Sequence, residues 1–337
     1  MKKLVILSML ATLMLFPSLL SAQKTYNIKM AHSGTEQSMM HLGYVFMKDY
    51  IEKHSGGAIK VRLYPGGQLG NDTEMVEMVQ NGDLQLIGSN NGYLSQFHPK
   101  VGVFAMPFIF KTQEVAYAVL DGPFGQMMLD SVEPGCGVKA LAYIDSFAYR
   151  QYTGNKPIKT PADLKGVKIR VMPNPIHLGI WKALGANPSP VPFSELYTAL
   201  QQKTVDAQEN PMENIVTARL YEVQKYVVLT NHVFTSGMTL VNPDFYNSLP
   251  PELQKVVKDA AVECNKFQRE EADKRLQSYF DTVKGAGVEI VPLSPEELQV
   301  FEEAANPAVP LIAKEVGQDT VEALYKAVAE AEAALSK

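Results

Sequence analysis

Hydrophobic and polar positions along the 337-residue chain follow two rhythms, and the switches between them lay out the elements. The run TYNIKMAH, from Thr25, reads as a strand, and SMMHLGYVFMKDYIEKHSGG then places Met39, Leu42, Val45, Phe46, Tyr50 and Ile51 near helical spacing before glycines stop it. AIKVRLYP predicts a second strand, NDTEMVEMVQNGD a helix opened by Asn71 or Asp72 with acidic residues in its first turn, and LQLIGSN a third strand. This β-α-β-α-β order predicts a largely parallel sheet covered by helices, in which ligands collect beyond the carboxyl ends of the strands.

A second run of the same kind starts near ALAYIDSFAYRQYT and continues through PADLKGVKIRV, IHLGIWKALGA, FSELYTALQQKTV and DAQENP. Ser194 is a helix N-cap candidate, and Leu196, Ala199 and Leu200 give the following helix its buried stripe. Two such runs predict two α/β lobes, which suits a chain longer than one hydrophobic core usually spans. From Pro250 to about Lys284 the chain has no glycine or internal proline, and its apolar residues keep helical spacing without a steady heptad register. Such a helix is about 50 Å long at 1.5 Å per residue, so it is expected to lie across both lobes.

Composition narrows the function by exclusion. A net charge of -5 gives no electrostatic footprint for nucleic acid. The first residues, MKKLVILSMLATLMLFPSLLSAQ, have two lysines, an apolar run broken by Pro17, and small residues before Gln23, the layout of a secretory leader cleaved near Ala22. The apolar run is shorter than the ~20 residues of a membrane span. Export to the periplasm follows as the expectation. Cys136 and Cys264 are the only cysteines, either paired or two small buried side chains, and their spacing suggests no metal.

Catalytic patterns are absent. GCGVKA at Gly135 and GAGVEI at Gly285 resemble glycine-rich nucleotide loops, but each follows a predicted helix and leads into a predicted strand, the reverse of what pyrophosphate binding needs. Capping glycines account for them. The six histidines are scattered, with no metalloprotease pair, and there is no nucleophile elbow. No metal, cofactor or catalytic residue is predicted.

The chemistry-bearing residues gather instead at predicted strand ends of the second lobe. Arg150 in SFAYRQYT and Arg170 in KGVKIRVMPNP each close a predicted strand, so parallel strands would put both guanidiniums at the ligand-binding edge. A guanidinium offers a planar fork of donors that matches a carboxylate. A surface ion pair with Asp or Glu is the alternative for either arginine taken alone. Asn210 closes another such run before Pro211, as a donor to a carboxylate or an ordinary turn residue, and Phe193 is either a ligand-stacking or a core aromatic.

At this point the stretches YPGGQLGND, VFAMPFIF, PADLKGVKIRV, PFSELYTALQQKTVDAQENP, YEVQKYVVLTNH and LPPELQKVVKDAA together resemble the substrate-binding proteins of tripartite ATP-independent periplasmic (TRAP) transporters, of the dicarboxylate- and sialic-acid-binding type. The resemblance covers essentially the whole mature length. It implies an α/β, two-lobed periplasmic binding protein fold with a hinge, closing on a small organic acid that is handed to a membrane permease. By the same resemblance Arg170 makes the paired contact with the ligand carboxylate, Arg150 and Asn210 assist it, and Phe193 packs beside the ligand. The expected division is a leader at 1–22, one lobe from 23–147 plus 236–270, and a second from 148–235 plus 271–337.

Two departures bear on the ligand. Asn90 falls where sialic-acid binders carry a glutamate, and Ser33 where they carry an asparagine. The first-lobe wall then offers His32, Ser33, Asn90, Asn91 and Tyr93, neutral groups suited to hydroxyls, with no further arginine or lysine for a second carboxylate. The expectation is a monomer that binds a sugar acid such as glucuronate or galacturonate and catalyses nothing. A C4-dicarboxylate binder is the second reading, and a periplasmic enzyme acting on sugar acids the competing class.

Overall fold

In the computed structural model, which describes residues 24–144 and 148–336, the predicted elements form around two separate sheets. The leader assigned to 1–22 lies outside the described residues. No helix among those described is long and apolar enough to cross a membrane.

The strands in chain order are β1 (Tyr26–Ala31), β2 (Ile59–Tyr64), β3 (Leu86–Asn90), β4 (Lys139–Ile144), β5 (Arg150–Gly154), β6 (Lys168–Val171), β7 (Asn187–Pro190), β8 (Ala207–Pro211), β9 (Tyr226–Leu229), β10 (Gly237–Val241) and β11 (Glu289–Pro292). The first sheet has the order β2-β1-β3-β10-β4, and the second β11-β9-β5-β8-β6-β7. Its first three strands make the first sheet parallel as expected, but β10 enters between β3 and β4 antiparallel to both. The second sheet is mixed as well, since β5 runs antiparallel to β8 and β9.

Local chemistry sets the element ends. Ser38 caps helix Met39–His54 by accepting from the His41 N–H, and Asn71 with Glu74 forms a capping box on helix Asp72–Asn81. That helix stops at Gly82, whose φ of +82° a residue with a Cβ adopts at a cost. Gly137, in the GCGVKA stretch, is likewise the left-handed cap of helix Pro123–Cys136 ahead of β4. Cys136 and Cys264 are both free thiols.

The chain passes from the first sheet to the second after β4 and returns after β9. The two crossing segments pair with each other: the Arg150 N–H donates to the Val233 carbonyl at 2.9 Å and the Thr235 N–H to the Ala148 carbonyl at 2.9 Å. Joined at the isolated bridge between Tyr149 and Phe234, these segments form the hinge of the two-lobed fold. Helix Pro251–Gly285 bridges the lobes a third time. Leu253, Val257, Ala260, Ala261 and Cys264 from its first half belong to the core under β1–β3, while Tyr279 and Val283 pack with Leu196, Leu200 and Ile215 beside the second sheet. The C-terminal helices Val309–Val316 and Gln318–Leu335 pack against Pro99–Ala105 and Gln113–Asp121, buttressing the same junction.

Candidate functional site

Between the sheets lies a cavity of about 50 Å³ lined by Ser33, Asp72, Asn90, Tyr93, Arg150, Arg170, Phe193, Asn210, Asn214 and Thr235, with Met40 and Met172 as its apolar walls. Seven of the nine residues singled out in the sequence meet here. His32 and Asn91 do not line it.

Arg170 is brought there by the end of β6. The strand pairs with β8 on one side and β7 on the other, and it stops after Val171 because Asn174 accepts from the Ile176 and His177 N–H groups and so caps the helix that Pro175 begins. Arg170 is completely buried. Its Nε donates to the Val191 carbonyl at 2.8 Å and its Nη2 to the Tyr93 hydroxyl at 3.2 Å, while Nη1 has no partner. A buried guanidinium N–H with nothing to bond costs stability, so Arg170 brings an open donor to the cavity it lines.

Arg150 reaches the same edge by a different route from the one expected. It starts β5 rather than ending it, and because β5 is antiparallel its beginning lies beside the carboxyl end of β8, opposite Pro211. Its guanidinium is largely committed within the protein. It pairs with the Glu209 carboxylate, and Nη2 also donates to Asn210 Oδ1 at 3.1 Å and Nη1 to the Thr235 hydroxyl at 3.3 Å. Glu209 also meets His232 Nε2 at 3.0 Å. Burial alone would push the Glu209 carboxyl up, but the Arg150 guanidinium beside it and the His232 hydrogen bond hold it well below the usual range. His177, packed on the same cluster, is pushed down to about 3 by burial and stays neutral. Arg150 thus enters the cavity with its charge already balanced, whereas Arg170 has no carboxylate within salt-bridge distance among the described residues.

The opposite wall carries Asp72, the first residue of helix Asp72–Asn81, at the exit of the loop after β2. It accepts from the Ser33 hydroxyl at 2.8 Å. Burial raises its carboxyl to about 6, with Ser33 and Arg170 pulling the other way. Tyr93 presents a buried hydroxyl that accepts from Arg170, and burial raises it to about 12, so it retains a proton to donate. Asn90 uses its Oδ1 to accept from the Gly92 N–H at 2.8 Å, which leaves its amide N–H₂ for the cavity. Asn210 Nδ2 donates to Gln208 at 2.6 Å. Phe193 is half-buried at the cavity wall.

The remaining two residues sit behind this shell. His32 is fully buried, with Nε2 3.2 Å from His41 Nδ1 and its ring edge-on to Tyr44, and burial pushes it down to about 3. Asn91 donates to the Ser236 hydroxyl at 2.8 Å and faces a neighbouring cavity of about 10 Å³ beside Arg150 and His177. Sequence reasoning missed Asp72 and Glu209. Glu209 carried a signal, a carboxylate inside a strand whose neighbours are all apolar or amide, and Asp72 lies beyond the carboxyl end of β2, where ligand-contacting residues collect.

The site holds one guanidinium with a free Nη1, one pre-neutralised guanidinium, one carboxylate acceptor and several neutral donors. No cluster of side chains among the described residues could hold a metal ion. Comparison with known proteins matches the chain to solute-binding proteins. The model for bacterial extracellular solute-binding proteins of family 7 covers residues 30–315. The 2,3-diketo-L-gulonate-binding periplasmic protein YiaO of Escherichia coli is 34% identical over 80% of this chain and 82% of its own. The C4-dicarboxylate-binding periplasmic protein DctP of Rhodobacter capsulatus is 32% identical over 90% and 91%. Among solved structures, the sugar acid binding protein DctPAm of Advenella mimigardefordensis, in complex with galactonate, superposes with a TM-score of 0.88 at 32% identity, covering 91% of this chain and 99% of that one.

Proposed function

The chain belongs to the DctP family of bacterial extracellular solute-binding proteins, family 7, and from that premise we propose that its cleft binds a sugar acid by one carboxylate and several hydroxyls. Proteins of this TRAP family bind small acids and work with membrane permease subunits. In this reading Arg170 takes the carboxylate with its free Nη1 and the adjacent Nη2. Arg150, held rigid by Glu209, and Asn210 complete the acid-binding end. Tyr93 and Asn90 donate to hydroxyl oxygens, Phe193 packs on the carbon skeleton, and His32 and Asn91 support the shell from behind.

The observation that carries the reading is the pairing of an unanswered Arg170 with a buried Asp72 in one cavity. Asp72 accepts hydrogen bonds from hydroxyls and repels a second carboxylate. With Arg150 neutralised by Glu209, a dicarboxylate would bring two negative charges to a single free cation, and desolvating the unpaired one is costly. The uronates glucuronate and galacturonate are the first candidates, and the galactonate bound by the Advenella relative makes aldonates the next. Periplasmic delivery of the acid to a permease, by the protein as a monomer and without turnover, belongs to the same reading. Calorimetric titration with glucuronate, galacturonate, galactonate, sialic acid and succinate tests it. Tight binding of a sugar acid is expected, and tight succinate binding with no response to any sugar acid overturns it.

A further inference from the structure

Outside the cleft lining, a second buried carboxyl joins the two lobes. Glu213 belongs to helix Met212–Thr217, directly after β8 of the second sheet, and is 4% exposed. Its Oε1 accepts from the Met39 N–H at 2.9 Å, and Met39 is the first residue of helix Met39–His54, which packs on the first sheet. Gln268 of helix Pro251–Gly285 donates to the Met39 carbonyl at 3.0 Å, so the joint sits where the bridging helix passes between the lobes. The second oxygen of Glu213 is buried without a partner, as is the Tyr279 hydroxyl of the bridging helix. Both residues line a cavity of about 220 Å³ on the hinge side of the cleft.

A carboxylate here has one backbone N–H and no cation. The titratable groups lining its cavity are Asp273, Tyr149 and Tyr279, with Arg275 acting on Tyr279 from the bridging helix; on the other packed elements Glu209 is paired with Arg150, Glu222 with Arg219 and His41 meets His32, and no ion pair to Glu213 forms among the described residues. The ionised form is therefore costly in this position, and protonation is the available remedy. Burial raises the carboxyl to about 7, with only the Met39 N–H pulling it down. Separation of helix Met212–Thr217 from Met39 would expose the same carboxyl to water, where it ionises at its ordinary value.

We propose that Glu213 makes closure of the cleft proton-linked: the closed form holds a proton taken from solvent on the Glu213 carboxyl at the joint with Met39, and opening returns it to solvent. The sign follows from linkage. The closed form binds more protons, so acid favours closure, and affinity for ligand falls as pH rises through the closed-form pKa. Asp72 contributes in the same direction from inside the cleft, so the test compares the protein with a variant that leaves Asp72 in place.

The proposal rests on the reading of the cleft as one that closes on an acid. Galactonate and glucuronate are titrated calorimetrically between pH 5.5 and 8 in buffers of different ionisation enthalpy, with the native chain and with Glu213→Gln, which keeps the acceptor for Met39 and removes the proton. The native chain is expected to take up roughly one more proton per ligand at pH 6 than the variant, and its affinity to fall about tenfold more between pH 6 and pH 8. Equal proton uptake and parallel affinity profiles overturn the proposal. If neither acid binds, the sugar-acid reading has failed, and the proton link is decided without ligand by small-angle scattering: going from pH 8 to pH 5.5 should shift the native chain toward the compact closed form more than it shifts Glu213→Gln. Radii of gyration that follow pH in parallel would then overturn it.

Discussion

Replacing Arg170 by alanine is the most direct perturbation of the site. The side chain is wholly buried, its plane is fixed by the Nε bond to the Val191 carbonyl at 2.8 Å, and Nη2 rests on Tyr93 at 3.2 Å, which leaves Nη1 and the outer edge for a ligand. A carboxylate entering the cleft of Arg170→Ala would be desolvated without its partner, a loss of about 3–5 kcal/mol for a broken buried pair. At ~1.4 kcal/mol per factor of ten, the affinity for the sugar acid should fall roughly 150- to 5000-fold. Arg170→Lys supplies charge without the fork. It can reach the carboxylate or the Val191 carbonyl but not hold both, and losing one charge-assisted hydrogen bond costs about 1.5–3 kcal/mol, so its affinity should fall roughly 10- to 150-fold. Titration calorimetry measures both, with circular dichroism and melting temperature as controls because Val191 and Tyr93 also lose a contact. The native interaction should also depend only weakly on salt, since a desolvated pair is poorly screened. An Arg170→Ala protein that folds normally and binds within about threefold of the native one would refute the assignment.

Three further outcomes follow from the same geometry. Asp72→Asn should weaken sugar-acid binding roughly 10-fold or more through the lost charged acceptor, and should improve binding of succinate by removing the repelling charge; competition titration reads both, and an unchanged preference would place Asp72 outside recognition. Glu209→Gln leaves Arg150 buried without its counter-charge and should cost about 3–5 kcal/mol in denaturant unfolding at neutral pH. Because the Glu209 pKa is lowered on folding, its contribution is present above the unfolded value and lost as pH falls through the folded one, so the gap between native and variant should narrow in acid. Gly237→Ala would place a Cβ 2.5 Å from the Ser89 carbonyl and 3.1 Å from the Asn90 Cα, both backbone atoms of β3; roughly 1–3 kcal/mol of destabilisation should accompany weaker ligand binding, since Asn90 lines the cleft.

Periodicity makes the elements legible because each buries one face, but the phase can slip: in helix Met39–His54 only Met39 and Ile51 of the apolar positions picked out by spacing are fully buried, Met40, Gly43, Tyr44 and Met47 complete the core face, Val45 is exposed, and Leu42, Phe46 and Tyr50 are half-buried. The pairing of strands is less legible. β5 and β10 are buried along their whole length, so neither carries an alternation to orient it, and direction depends on where the chain crosses between the sheets, which no local pattern encodes. That is why Arg150 was placed at the correct edge through the wrong end of its strand. Among site residues, those with distinctive chemistry at a strand end, such as Arg170 and Asn210, could be picked out. Asp72 could not, because an acidic residue in the first turn of a helix already has a sufficient local reason in the helix dipole. His32 stands next to Ser33 in sequence, yet the chain leaving β1 sends one side chain behind the shell and the other to the cavity.

The placement of β10 between β3 and β4 also governs the order in which the molecule can be made. β3 and β4 share no pairing of their own, so a nascent chain that ends near residue 150 lacks the strand that joins them and cannot complete its first sheet. The missing piece arrives about ninety residues later, after the strands β5 to β9 of the other sheet, a delay of several seconds at about 5–20 residues per second. Until then β1, β2 and β3 can pair, but β4 has no partner in the sheet. A chain arranged in this way defers the closing of its first sheet until most of the second has been made.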